Sequence, residues 1–206
     1  MYALDTKSAR KADQTGQFLN EIGKYVGKFT QAEDLKASSG TRGIGFRFES
    51  NGQRANLSLY TVKSDGTKLM GHDALMAIMT CMGLRNIEPK PGSVLAWDNE
   101  AKAEVSRQAT VFPDLCTKEI GLLLETEDYI KQNGDTGTRM VIAGIFQAGT
   151  ELTASEILDK KTKPEQLGKM VARLRHRPVR AAKGTPAAAT AKPTSGFDDM
   201  DDDIPF

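Results

Sequence analysis

The sequence predicts a mainly β fold with flanking helices, and three local signals carry that prediction. Gly43–Ser50 alternates cleanly, with Ile44, Phe46 and Phe48 on one face and Arg47 and Glu49 on the other, the two-residue period of a half-buried strand. Asn51-Gly52 follows, a dipeptide suited to a tight hairpin because both residue types tolerate positive φ. Arg54–Thr61 then resumes the alternation, with Leu57 and Leu59 inward and Asn56, Ser58 and Tyr60 outward.

The other elements follow in chain order. Ile22–Ala37 reads as a long, bent or bulged strand: Tyr25, Val26 and Phe29 suit a sheet, while Gly23 and Gly27 mark curvature or a close backbone approach. Ser38-Ser39-Gly40-Thr41 is a turn. His72–Met82 is rich in helix formers and is followed by Gly83 at the position of a C-terminal cap. Pro89, Pro91 and Gly92 interrupt the next segment, of which only Val105–Phe112 reads as a short strand. Lys118–Glu127 and Thr138–Phe146 are two further strands, joined by a turn containing Asn133-Gly134. Thr153-Ala154-Ser155-Glu156 is a capping box that starts a helix, and Pro164–Arg175 is expected to form another. Three curved strands, a helix and two strands is the element order of the OB-fold, a five-stranded, partly open barrel that often binds single strands. The expectation is therefore an OB-fold-like five-stranded β-barrel within a domain spanning residues 1–177. Residues 178–196 are rich in Ala, Thr, Pro, Lys and Gly, with no large apolar residue after Val179, the composition of a disordered basic linker. Residues 197–206 form an acidic tip.

Composition excludes several classes. With 39% hydrophobic and 27% charged residues the chain suits an ordinary soluble domain. No run approaches the roughly 20 apolar residues of a membrane span, and Met1–Lys11 has no apolar signal segment, so a cytoplasmic protein is expected. Cys81 and Cys116 lack the spacing of a zinc site or disulfide framework. His72 and His176 show no partner, and Glu125, Glu127 and Asp128 lack a third acidic position at metal-ligand spacing. No Gly-rich loop precedes a Lys-Ser/Thr pair. The reading is non-enzymatic, with no catalytic residue, metal or cofactor assigned. The net charge of +1 conceals a division: residues 1–165 balance at −1, 166–196 at +7 and 197–206 at −5.

The tip reads Phe197-Asp198-Asp199-Met200-Asp201-Asp202-Asp203-Ile204-Pro205-Phe206. Five aspartates repel one another and keep such a segment extended. A solubility tag would need nothing more, yet three apolar residues follow. Pro205 lowers the entropy lost on docking, and Phe206 offers a ring and a carboxylate to an apolar pocket with a basic rim. Asp201, Asp202, Asp203, Ile204, Pro205 and Phe206 resemble the acidic tip of bacterial single-stranded-DNA-binding proteins, which lies behind a disordered linker. That resemblance implies an OB-fold body, single-stranded DNA as ligand, and recruitment of replication, recombination and repair proteins through the tip. The stretch Gly-Lys-Tyr-Val-Gly-Lys-Phe-Thr at 23–30 departs from the bacterial family and is more similar to phage-encoded single-strand-binding proteins. It implies a phage protein acting in a bacterial cell, and leaves a homo-oligomer open.

A strand binder needs cations for phosphates and exposed rings for bases. Between Asn20 and Lys68 there are eight basic and five acidic residues. Within or near this region the DNA-binding candidates are Lys24 and Lys28, sharing a face; Arg42 and Arg54, flanking it; and Arg47 and Tyr60, outward on neighbouring strands. Trp97, near Lys102 and Arg107, is the candidate from an irregular polar segment. The expected function is sequence-independent binding and protection of single-stranded DNA with partner recruitment. The alternatives are a strand-annealing recombination factor or a replisome adaptor using the same tail, and a nuclease that carries it.

Overall fold

A computed structural model describes residues 18–98, 100–131 and 133–179. Its strands are β1 Gly23–Lys36, β2 Arg42–Ser50, β3 Gln53–Val62, β4 Lys90–Asp98, β5 Ala103–Val111, β6 Glu119–Ile130 and β7 Thr136–Phe146. Its helices are α1 Met70–Met82, α2 Ala154–Leu158 and α3 Leu167–Val171, with a 3-10 turn at Pro113–Cys116. The mainly β expectation holds, with every strand pairing antiparallel.

The expected five-stranded, partly open barrel is not what the strands form. The described residues form a seven-stranded sheet in which β7 pairs only with β6, so no hydrogen-bonded ring closes. The short strand read at Val105–Phe112 appears as β5, and it pairs in a two-stranded ribbon with β4, a strand in the segment where Pro89, Pro91 and Gly92 obscured the pattern. Val94 is the one buried residue of this ribbon, flanked on its face by the small, half-buried Gly92 and Ala96, so β4 leaves too faint an apolar alternation for a sequence reading to detect.

β1 organises the molecule. Its first half, Gly23–Lys28, pairs with β6, and from Lys28 onward its opposite edge pairs with β2. A register shift between Phe29 and Gln31 marks a bulge in the pairing with β2. Phe29, Phe46 and Phe48 meet beneath this crossing, with centroids 4.4 and 5.8 Å from Phe29. All three are buried, and burying a ring of this size contributes roughly 1.5–3 kcal/mol. α1 lies against β3, β6 and β7, inserting Ile78 and Met82 into the same core, and ends on Gly83 in the left-handed conformation, φ 63°. Burial pushes the Cys81 thiol up to about 11; Cys81 and Cys116 are both free and belong to this packing.

β6 is buried on both sides. Ile120, Leu122 and Leu124 face the main core, while Leu123 joins Phe146 and Leu167 in a second cluster. The expected helix over Pro164–Arg175 contracts to α3, because residues 175–177 leave the helix and run parallel to β6. Arg177 N donates to Thr126 O at 2.8 Å, and Asp128 N donates to Arg177 O at 2.9 Å.

The capping box at the start of α2 is present. Glu156 is 1% exposed and accepts hydrogen bonds from Thr153 N and Oγ1, both at 2.9 Å, from Glu165 N at 2.7 Å and from Gln166 N at 2.9 Å. These donors, the Thr153 backbone first, hold its carboxyl down at about 2 against an ordinary 4.5. A depressed carboxylate pKa stabilises the fold above the ordinary value, and that stabilisation is lost as pH falls through the folded value. Glu156→Gln should therefore lower the thermal midpoint by a few degrees at pH 7. The difference from the parent should narrow as pH falls from 4.5 toward 2, read by thermal unfolding across that range. A gap that stays constant with pH would show that the charge of Glu156 does not matter.

Candidate nucleic-acid interface

The outward face of β1, β2 and β3 is built in rows by the strand register. Lys28, Glu49 and Arg54 form one row; Gln31, Arg47 and Asn56 the next; then Glu33, Gly45 and Ser58; and last Leu35, Gly43 and Tyr60. Side chains alternate across a strand, so these residues oppose the buried Phe46, Phe48, Ala55 and Leu57.

The β4–β5 ribbon folds across this face. Its backbone register to β1 is a single pair, Glu33 with Val111, extended by Phe112 N donating to Ala32 O at 2.9 Å. The remaining polar contacts come from side chains. Gln31 accepts from Leu95 N at 2.9 Å and donates to Leu95 O at 3.3 Å, and Arg107 bonds Glu33 at 2.6 Å. Arg47 Nη2 donates to Leu95 O at 3.2 Å and to Glu104 at 2.9 Å.

The candidate residues fall into separate groups. Arg47, Arg54 and Trp97 come together: both arginines pair with Glu104, and Trp97 is the cross-strand neighbour of Glu104. Trp97 stands on regular strand β4 rather than on an irregular segment, and is 53% exposed. Tyr60, half-buried, lies at the far end of the same face, in the row of Gly43. Lys24 and Lys28 share the exposed side of β1 with Val26 and Thr30. Lys24 Nζ bonds Glu151 at 2.7 Å, and Lys28 stands between Glu49 and Glu119 in the register. Arg42 pairs with Asp34 at 3.2 Å at the end of the β1–β2 pairing. Asp201–Phe206, with the linker from residue 180, lie outside the described residues.

Two contributors escaped sequence reasoning. Glu104 is an acidic residue in a ribbon of weak pattern, and nothing local marks it as the partner of arginines some fifty positions away. Phe18 is 49% exposed and lies under the Arg54 guanidinium, 4.8 Å from its centroid. It extends the aromatic character of this end of the face.

The acidic group on β6 has a structural use. Glu125 accepts from Arg177 Nε and Arg175 N, and Glu127 pairs with Arg139. The Thr138 hydroxyl and then His176 hold the Asp128 carboxyl below the usual carboxylate range. Among the described residues, no group of three or more His, Cys, Asp or Glu could hold a metal ion, and no helix is long and apolar enough to cross a membrane. No protein-family model and no curated protein matches this chain.

Proposed function

We propose that the protein binds single-stranded DNA without sequence preference, on the outward face of β1–β3 and along the β4–β5 ribbon. One observation carries this reading: Arg47 and Arg54, diagonal neighbours on adjacent strands, both pair with Glu104, the cross-strand partner of the exposed Trp97. Cations spaced along a curved sheet with an uncovered aromatic face can hold phosphates and stack a base in any sequence. An OB-fold-like body is supported by the bent β1, paired with β2 on one edge and β6 on the other, and by α1 between β3 and the β6–β7 hairpin. The acidic tip at Asp201–Phe206 supports a second role, the docking of replication, recombination and repair proteins. A replisome adaptor with little strand affinity of its own is the competing reading. It is favoured by the ion pairs that occupy Arg47, Arg54 and Lys24.

Titration with oligo-dT and with duplex DNA separates the two. A strand binder should prefer oligo-dT, quench the fluorescence of Trp97, and lose affinity with a log–log salt slope near −0.7 per phosphate neutralised. Trp97→Ala should weaken binding by about 1–3 kcal/mol without lowering the thermal midpoint, because the ring is mostly in solvent. Equal affinity for duplex and single strand, or no binding at low salt, would overturn the reading.

A further inference from the structure

Arg47 and Arg54 aim their guanidinium groups at a single carboxylate. Glu104 Oε1 lies 2.9 Å from Arg47 Nη2 and 3.1 Å from Arg54 Nη1, and Oε2 is 3.2 Å from Arg54 Nη1. Two cations around one anion sum to one positive charge, which Glu49, opposite Arg54 in the strand register, offsets in part. Arg47 also retains a buried donor, Nε, with no partner among the described residues. A backbone phosphate carries the same single negative charge as a carboxylate and likewise presents two oxygens to a guanidinium fork.

Glu104 reaches this position from a ribbon held to the sheet largely by polar side-chain contacts. Val94 is the one buried residue of β4 and β5, and much of the ribbon's attachment consists of the Gln31, Arg47, Arg54 and Arg107 contacts. Arg47, Arg54 and Glu104 leave only 13–29% of their side chains exposed, so an incoming anion can exchange for Glu104 only by satisfying both arginines in its place.

We propose that Arg47 and Arg54 form the seat of one strand phosphate and that Glu104 occupies it as a built-in competitor. The strand binds by taking the place of this carboxylate and freeing the ribbon edge that carries Trp97. This rests on the strand-binding reading above, and it adds a regulation: affinity is set by the exchange and not by the arginines alone.

The test is an oligo-dT titration of the full chain at several salt concentrations. Glu104→Gln keeps the side-chain size and removes the charge. It should bind about three- to ten-fold more tightly than the parent at low salt, with the gain fading as salt rises. In an Arg47→Ala, Arg54→Ala background the same substitution should give no gain, because the seat is absent. Glu100→Gln removes a charge from the exposed turn of the same ribbon and should change affinity by less than about twofold. Glu104→Asp keeps the charge and withdraws it by one methylene, so it should give a smaller gain in the same direction, and it serves as the second variant should the glutamine form fold poorly. Parent binding with no gain in Glu104→Gln and Glu104→Asp overturns the seat and leaves the binding reading standing. Equal gains from Glu100→Gln and Glu104→Gln reduce the effect to general charge and also overturn it. Absence of binding by parent and variants alike removes both readings, whereas binding by Glu104→Gln alone supports the competitor directly.

Discussion

Gly27→Ala should destabilise the fold by about 3 kcal/mol, at the upper end of what overpacking usually costs. A Cβ at Gly27 would lie 2.0 Å from the carbonyl oxygen of Glu49 and 2.9 Å from the ring of Phe48. The first is backbone and cannot swing aside. It sits where β1 passes from pairing with β6 to pairing with β2, beside Ser50, whose hydroxyl donates to Val26 O at 2.7 Å. Relieving the clash would separate the two strands beside Phe29 and Phe48, whose rings are buried against one another. Gly23→Ala is the comparison, because the nearest atoms to a Cβ there are the Tyr25 ring at 3.4 Å, an ordinary contact, so it should leave stability unchanged or raise it by up to about 1 kcal/mol. Urea unfolding with both variants measures the difference. If Gly27→Ala unfolds within about 0.5 kcal/mol of the parent, near the scatter of such comparisons, the close crossing of β1 over β2 is not as tight as described.

Phe206→Ala should cost about 2 kcal/mol or more of affinity for a partner that takes the acidic tip, the usual loss on truncating a buried aromatic anchor. The substitution leaves all five aspartates in place, so a purely electrostatic attraction would be almost unchanged. Binding of oligo-dT should be unaffected, since the described face draws on none of residues 197–206. Anisotropy titration of a bacterial protein that binds such tips, against parent and Phe206→Ala, gives the answer. Retained affinity would reduce the segment to an acidic tag and remove the recruitment half of the proposed function. It would leave the strand-binding half to stand on oligo-dT titration alone.

Much of the scaffold was legible in the sequence because its signals are local. The alternation of Ile44, Phe46 and Phe48 against Arg47 and Glu49 appears as a strand with the three apolar residues buried. Asn51-Gly52 appears as its turn with both φ positive, and Gly83 as the left-handed end of α1. Thr153 and Glu156 form the capping box their spacing required. In each case the energy that decides the conformation lies within a few residues of the chain. Gly23 and Gly27 show the limit of that reasoning. The sequence presented them alike, and only the approach of Glu49 from another strand makes one of them indispensable.

The candidate interface was decided by contacts distant in sequence. The excess of basic residues between Asn20 and Lys68 suggested a positive face, but Glu104 and Glu151 come from outside that stretch to pair with Arg47, Arg54 and Lys24. A charge count along the chain cannot register them, because Coulomb energy depends on distance in space. Of the ribbon that brings Glu104, the sequence showed only the strand at Val105–Phe112, since a two-stranded element with one buried residue writes little apolar face into its sequence. Residue type and alternation by themselves determined a mainly β body, its first three strands and the buried phenylalanines. The tertiary structure alone decided which arginines meet, which carboxylate holds them and where Trp97 stands, because those depend on β1 bending between two partners and on the ribbon folding back across it.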